Sequence, residues 1–280
     1  MKKTVTVEVN AKINLSLLVT GVKDGYHMLD TVVASVELAD AVSACEADEN
    51  SVVFSSPDVV AEKSNAYKAL EYMREKYSLP KVCINVRNDV PCGVGLGGSS
   101  ADCAGVIIAL NKLFSLGLGD GEMREIADKF GSDTAYMITG GFARLTGRGD
   151  EIEFFQSEFC PEVLIAYKGA VSTKQCFALF DQIKQSADFR DNDRLIRLLE
   201  SDCSEKAREC LFNHLTAPAE KLNESVARIF DIAKDHEAVM TGSGSGVVIF
   251  SPDERVEKAL LSDGINVIKT RILPSSRLLS

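Results

Sequence analysis

Four glycines fall within six residues at Gly93-Val94-Gly95-Leu96-Gly97-Gly98, and two hydroxyls follow at Ser99 and Ser100. Glycine loses more conformational freedom on folding than any other residue, so this density needs a reason. A tight strand-to-helix turn explains one or two of them. An anion cradle explains all four. Without Cβ atoms the backbone can wrap a phosphate, several N–H groups converge, and a following helix adds the positive end of its dipole. That helix is signalled at once by Cys103, Ile107, Leu110 and Phe114.

The familiar nucleotide loops do not fit. Gly93, Gly95 and Gly98 satisfy G-x-G-x-x-G, but the dinucleotide fold wants an acidic residue about 20 positions on, at the end of a strand. Here that region, Phe114–Glu122, is a glycine-containing stretch between two helical patterns. No Lys-Ser/Thr pair follows the last glycine, so the Walker loop fails, and the H-R-D and D-F-G signatures of protein kinases are absent.

Other residues could do chemistry. Lys12 shares strand parity with Asn14 and Ser16, opposite to Ile13, Leu15 and Leu17; on most strands that face is solvated. Asp133 follows Gly131-Ser132, a place for a helix cap or for an acid beside a ligand. Tyr26-His27 follows Gly25 in a turn, where the pair is either surface or the lining of a planar ligand's site. A second cluster, Thr241-Gly242-Ser243-Gly244-Ser245-Gly246, runs into a strand and reads equally as a hairpin turn or as close backbone contact. No H-E-x-x-H motif or Cys/His cluster suggests a built-in transition-metal site.

The elements that must position these residues are mixed. Strand patterns cover Thr4–Glu8, Ile13–Val19, Val32–Leu38, Val52–Ser55 and Val82–Arg87. A helix fits Asn65–Tyr77 behind Ser64 as its cap, and another fits Glu122–Phe130, stopped by Gly131. Gly147-Arg148-Gly149-Asp150 is turn-like, and Pro161 precedes a strand at Val163–Tyr167. Helices at Gln175–Ile183, Asp193–Glu200, Leu222–Asp235 and Glu254–Leu261, with strands at Val247–Phe250 and Val267–Ile272, complete the pattern. An α+β chain of two domains, 1–155 and 156–280, is the economical expectation.

Composition limits the function classes. The 280 residues carry 31 basic and 41 acidic side chains, a net charge of −10, which argues against a broad grip on nucleic acid. A hydrophobic share of 45% suits a globular core, and no run of 18 apolar residues predicts a membrane span. The eight cysteines contain no C-x-x-C pair and read as reduced thiols, mostly small apolar core residues. The start alternates polar and apolar residues, unlike a signal peptide, so a reducing cytoplasm is expected.

Three motifs in order resemble the GHMP kinases: Ala11-Lys12-Ile13-Asn14-Leu15 with Asp24-Gly25-Tyr26-His27, then Pro91 to Asp102, then Thr241 to Gly246. Gly131-Ser132-Asp133 sits where one branch carries a catalytic Gly-Ala-Asp. The Lys-x-Asn and Asp-Gly-Tyr-His pairing resembles that branch, which phosphorylates a cytidine diphosphate sugar alcohol of the non-mevalonate isoprenoid route. The resemblance implies a bilobal fold, with an N-terminal domain like the second domain of ribosomal protein S5 and a ferredoxin-like C-terminal domain. It implies ATP on Pro91, Gly93, Val94, Gly95, Leu96, Gly97, Gly98, Ser99, Ser100 and Ala101, with Mg²⁺ bridging phosphates and Ser100 as its protein-side contact. Asp133 would be the catalytic base and Lys12 its partner. Asn14, Tyr26, His27, Phe177 (or Phe180), Gly242, Ser243 and Gly244 would hold the second substrate. A monomer or homodimer with small-molecule ligands only is implied. Mevalonate, homoserine or sugar kinases of the same superfamily, or a ligand-binding protein of this fold without catalysis, are the rival readings.

Overall fold

The structure, a computed structural model, describes residues 3–57, 59–183, 191–201 and 204–275. Two compact units emerge, neither continuous in sequence. The first comprises Met1–Ala11, Leu38–Pro91 and Gly97–Gly140; the second comprises Lys12–Glu37, Cys92–Leu96 and Gly141–Ser280. Two long strands, β1 (Thr4–Lys23) and β2 (Tyr26–Glu46), contribute residues to both.

In the first unit, β3 (Ser51–Phe54) runs parallel to β4 (Val82–Arg87), and β4 pairs antiparallel with Ala41–Glu46 of β2. α1 (Asn65–Tyr77) starts where Ser64 accepts the N–H of Tyr67, and it buries Ala66, Ala69, Leu70 and Met73 at helical spacing. α2 (Gly98–Phe114) is apolar nearly all round, with Cys103, Val106, Ile107, Leu110 and Leu113 buried; a helix like that belongs in the interior. α3 (Asp120–Ala127) continues into a 3₁₀ turn that ends at Gly131, and α4 (Ser132–Thr139) follows.

In the second unit, β5 (Phe142–Gly147) pairs with Leu29–Val33 of β2, and β6 (Glu151–Phe155) pairs with β5. β7 (Glu162–Tyr167), β9 (Ala238–Met240), β10 (Val247–Phe250) and β11 (Asn266–Arg271) form an antiparallel sheet in the order β11-β7-β10-β9. Covering elements are α5 (Thr173–Phe180), α6 (Asn192–Leu199), α7 (Thr216–Leu222), α8 (Glu224–Ile232) and α9 (Glu254–Ser262). A short β8 (Phe212–Asn213) runs parallel to Ser16 and Leu17 of β1. Leu164, Ala166, Ile229, Met240, Ile249 and Leu260 meet in one core. The helix expected over Leu222–Asp235 is α8, which starts at Glu224 because Asn223 caps it by accepting the N–H of Ser225; the separate α7 ends at Leu222.

Cysteine placement departs from expectation. Only Cys103 and Cys176 are buried among the described thiols; Cys45, Cys83 and Cys210 are half-buried, and Cys92 and Cys160 are exposed. Cys203 lies outside the described residues.

Candidate functional site

The solvated face usual for polar residues on a strand is absent at Lys12. Lys12, Asn14 and Ser16 are only 5%, 3% and 0% exposed, so β1 is buried on both faces here. A buried ammonium needs partners, and Asn14 Oδ1 accepts from Lys12 Nζ at 2.6 Å. The same oxygen accepts the N–H of Gly242 at 2.9 Å and lies 3.2 Å from Thr241 Oγ1. Asn14 Nδ2 donates to Thr31 Oγ1, which donates in turn to the Ser16 carbonyl.

Thr241, fully buried, closes the circle. Its hydroxyl accepts the N–H of Asn14 at 3.1 Å and lies 3.0 Å from the Gly95 carbonyl. Lys12 N donates to Leu96 O, and Gly246 N donates to Val94 O, both at 3.0 Å. Three segments far apart in sequence thus meet through these hydrogen bonds: Lys12–Asn14, Val94–Leu96 and Thr241–Gly246. Thr241 N to Gly246 O also closes a hairpin between β9 and β10. The second glycine cluster is therefore a turn and a close backbone contact together. A Cβ on Gly95, at φ +86°, would stand 2.0 Å from Thr241 O, and one on Gly246 would stand 2.5 Å from Val94 O.

The glycine loop fits an anion. Gly93, Gly95 and Gly97 all have φ between +72° and +86°, the left-handed region. Gly97 caps α2 with no side chain accepting the first-turn N–H groups. Ser100 N–H turns back to Gly97 O at 3.0 Å, so the N–H groups of Gly98 and Ser99 are the donors a phosphate needs. Ser99 is exposed and Ser100 half-buried.

Asp133 is half-buried in the first turn of α4 and is not its cap, which is Gly131 at φ +154° with no side-chain bond. Thr134 Oγ1 beside it is buried without a hydrogen-bond partner.

At the other end of β1 and β2, Tyr26 is 52% exposed, with the Arg148 guanidinium 3.7 Å from its ring centroid. His27 stacks on Phe177, centroids 4.5 Å apart at 28°, and meets Phe180 edge-on at 6.3 Å. Its Nε2 lies 2.8 Å from Asp181 Oδ1. Ser243 Oγ pairs with Thr173 Oγ1 at 2.8 Å. Sequence reasoning missed Thr241, Asp181 and Arg148 as site residues. Asp181 carried a signal, one helical turn after Phe177 (i, i+4).

Beneath the start of α2, Asp40 and Asp102 are buried together, 0% and 4% exposed. Asp40 Oδ1 accepts the N–H groups of Asp89 and Val90, at 2.7 and 2.8 Å. Asn88 Nδ2 lies 3.3 and 3.2 Å from the two Asp102 oxygens. Burial, and then the charge of Asp40, push the Asp102 carboxyl up to about 8. Asp40 Oδ2 has no N–H or hydroxyl partner. A proton on Asp102 supplies that donor.

Lys12 is thus a buried lysine held on a strand, the glycine loop opens a helix that has no side-chain cap, and Asp133 is an acid in a helix's first turn. The chain belongs to the GHMP kinases. The family model for the GHMP kinases N terminal domain matches residues 64–143, and that for the C terminal matches 176–262. Among its relatives are proteins named 4-diphosphocytidyl-2-C-methyl-D-erythritol kinase. The one from Bacillus licheniformis is 34% identical over 86% of this chain and 85% of its own. That from Syntrophomonas wolfei is 31% identical over 92% and 94%. In fold, the chain matches a crystal structure of 4-(cytidine 5'-diphospho)-2C-methyl-D-erythritol kinase with a TM-score of 0.77 at 23% identity, covering 96% of this chain and 99% of the other. A homoserine kinase from Cytophaga hutchinsonii follows at 0.75 and 16%, covering 98% and 96%. The fold is that of the family, with mixed helix and strand throughout, and the protein is an ATP-dependent small-molecule kinase. Among the described residues, no helix is long and apolar enough to cross a membrane.

Proposed function

We propose that this kinase transfers the γ-phosphoryl group of ATP to the 2-hydroxyl of 4-diphosphocytidyl-2-C-methyl-D-erythritol, in the cytoplasm, as a step towards isoprenoid precursors. The observation that carries the reading is the bonded meeting of Lys12–Asn14, the glycine loop and Thr241–Gly246. The names of relatives that are similar over most of the chain supply the substrate.

In this reading the α2 N-terminus and the loop residues Pro91–Ala101 bind the ATP phosphates. An alcohol is a weak nucleophile until a base takes its proton; Asp133 takes it, and the oxygen attacks phosphorus as the bond to ADP breaks. Lys12 stabilises charge on the reacting oxygens, and Asn14 aims its ammonium. Among the described residues, no group of three or more His, Cys, Asp or Glu side chains could hold a metal. The Ser100 hydroxyl would be a protein contact for Mg²⁺, and the ion would supply neutralisation of phosphate charge. Tyr26, His27 and Phe177 hold the cytosine end. Gly242, Ser243 and Gly244 border the remainder of the substrate. Since Asn14 already spends its amide inside the protein, it acts on the substrate through Lys12.

The test is ATP consumption with the cytidine diphosphate substrate beside mevalonate and homoserine. Turnover of the first alone supports the reading; turnover of either other alcohol in its place refutes the substrate and leaves the family intact.

A further inference from the structure

Cys45 and Cys83 are register partners on adjacent antiparallel strands, β2 and β4. Register partners project from the same face, so the two thiols face the same side of the sheet. On β4 the buried residues are Val82, Ile84 and Val86, whereas Cys83, Asn85 and Arg87 lie on the outward face. Cys83 and Cys45 are both half-buried and free. Asn85 Nδ2 lies 3.6 Å from Cys83 Sγ, which places that sulfur on the outward face.

The backbone fixes the spacing. Two positions beyond Cys45, Ala47 donates its N–H to Lys81 O at 2.9 Å. Hydrogen-bonded and non-bonded pairs alternate along an antiparallel ladder, so Cys45 and Cys83 occupy a hydrogen-bonded pair, with Cα atoms about 5.5 Å apart. Disulfides take Cα separations of about 4.4–6.8 Å. Cβ atoms of such pairs start about 4.5–5.5 Å apart, against about 3.8 Å in a disulfide. The strands must close by roughly an ångström, so the bond carries strain and is readily reduced.

We propose that Cys45 and Cys83 form a reversible thiol–disulfide site on the outward face of the β2–β4 ladder, oxidised by a low-molecular-weight disulfide such as glutathione disulfide. One thiolate attacks a glutathione sulfur, forming a mixed disulfide and releasing one glutathione thiolate. The second cysteine thiolate then attacks the protein sulfur, forming the cross-strand bond and releasing the second glutathione. Two protein thiols lose two electrons and two protons, and one glutathione disulfide becomes two thiols. The bond closes a covalent loop over residues 46–82, which contain β3 and α1. It would also bridge the strand that carries Asp40 to the strand leading to Asp89 and Val90.

The other described thiols are internal controls. Cys103 and Cys176 are buried, and burial pushes their thiols up to about 12 and 11, so both stay unreactive. Cys92 and Cys160 are exposed and neither is a register partner of another cysteine. The folded protein is equilibrated in glutathione buffers of rising oxidised fraction, quenched by alkylation, and mapped as non-reduced peptides. The expected result is a Cys45–Cys83 cross-linked peptide, lighter by two hydrogens, that disappears with thiol reductant. Cys45→Ser should lose the cross-link and instead hold glutathione on Cys83, and Cys83→Ser should do the converse. Mixed disulfides on both cysteines of the wild type without a cross-link would overturn the proposal. So would two alkylatable thiols while Cys92 and Cys160 take up glutathione.

Discussion

Asn14 turns its side-chain oxygen to Lys12 Nζ at 2.6 Å while that same oxygen holds the N–H of Gly242. One amide therefore orients the ammonium and fixes the second glycine turn. Asn14→Ala leaves the ammonium unaimed and a loop N–H without its acceptor. A hydrogen bond to a charged group is worth about 1.5–3 kcal/mol, so kcat should fall ~10- to 100-fold. Steady-state kinetics beside a melting curve checks this. A rise in the KM of the second substrate at unchanged kcat would mean that Asn14 touches substrate instead.

Gly95 and Gly98 should behave differently although both belong to the loop. A Cβ on Gly95 meets backbone at 2.0 Å and φ is +86°, so Gly95→Ala must displace Thr241 or unwind the loop. A Cβ on Gly98 meets side chains alone, Val90 at 3.2 Å, which can shift, and Asp40 Oδ2 at an ordinary 3.6 Å. Gly95→Ala should lose measurable ATP binding by calorimetry and melt earlier. Gly98→Ala should stay folded within a few degrees of wild type.

Asp133→Asn should keep the fold and ATP affinity, because Gly131 caps α4 and the amide preserves the shape. Loss of the base should lower kcat by ~10²–10⁴. Near-normal turnover would leave Asp133 a first-turn helix acid only.

Local signals were legible where one segment carries its own instructions. Ser64 followed by Ala66, Ala69, Leu70 and Met73 specifies α1 end to end, and the alternation of Val82–Arg87 specifies β4. The strand parity of Lys12, Asn14 and Ser16 was readable, but its environment was not. Polar residues on a strand normally mark solvent, and here other segments bury them. For the same reason, Thr4–Glu8 and Ile13–Val19 read as two strands when one, β1, runs through both. Thr241 and Asp181 act through partners 227 and 154 residues away, a relation no periodicity encodes.

The Asp40–Asp102 pair predicts a pH dependence. The Asp102 carboxyl is raised from 3.8 to about 8, so over that window the folded protein holds a proton that the unfolded chain has released. Stability is thus fully present below pH ~4, falls as pH rises towards 8, and is flat from this pair above it. The slope is at most about 1.4 kcal/mol per pH unit. Asp102→Asn keeps a donor for Asp40 without a titrating proton and should flatten the dependence of Tm on pH between 5 and 8. Asp102→Ala should be less stable than Asp102→Asn, because Asp40 Oδ2 then has no donor.

The last prediction concerns how the second substrate is recognised. Asp181 Oδ1 can only accept from His27 Nε2 when ionised, so the neutral ring carries its proton on Nε2 and leaves Nδ1 as an acceptor. Cytosine offers an exocyclic amine to such an acceptor, and uracil offers a carbonyl in its place. His27→Ala should raise KM for the cytidine substrate while sparing KM for ATP. One lost hydrogen bond is worth about 0.5–1.5 kcal/mol, or ~2- to 13-fold. Asp181→Ala should act in the same direction, and Asp181→Asn, whose amide oxygen can still accept from Nε2, should restore most of the loss. CMP should compete with the second substrate in the wild type, compete less well in His27→Ala and Asp181→Ala, and outcompete UMP only where His27 and its acceptor are both present. Equal inhibition by CMP and UMP in the wild type would remove His27 from base recognition and leave it as the ring that packs on Phe177.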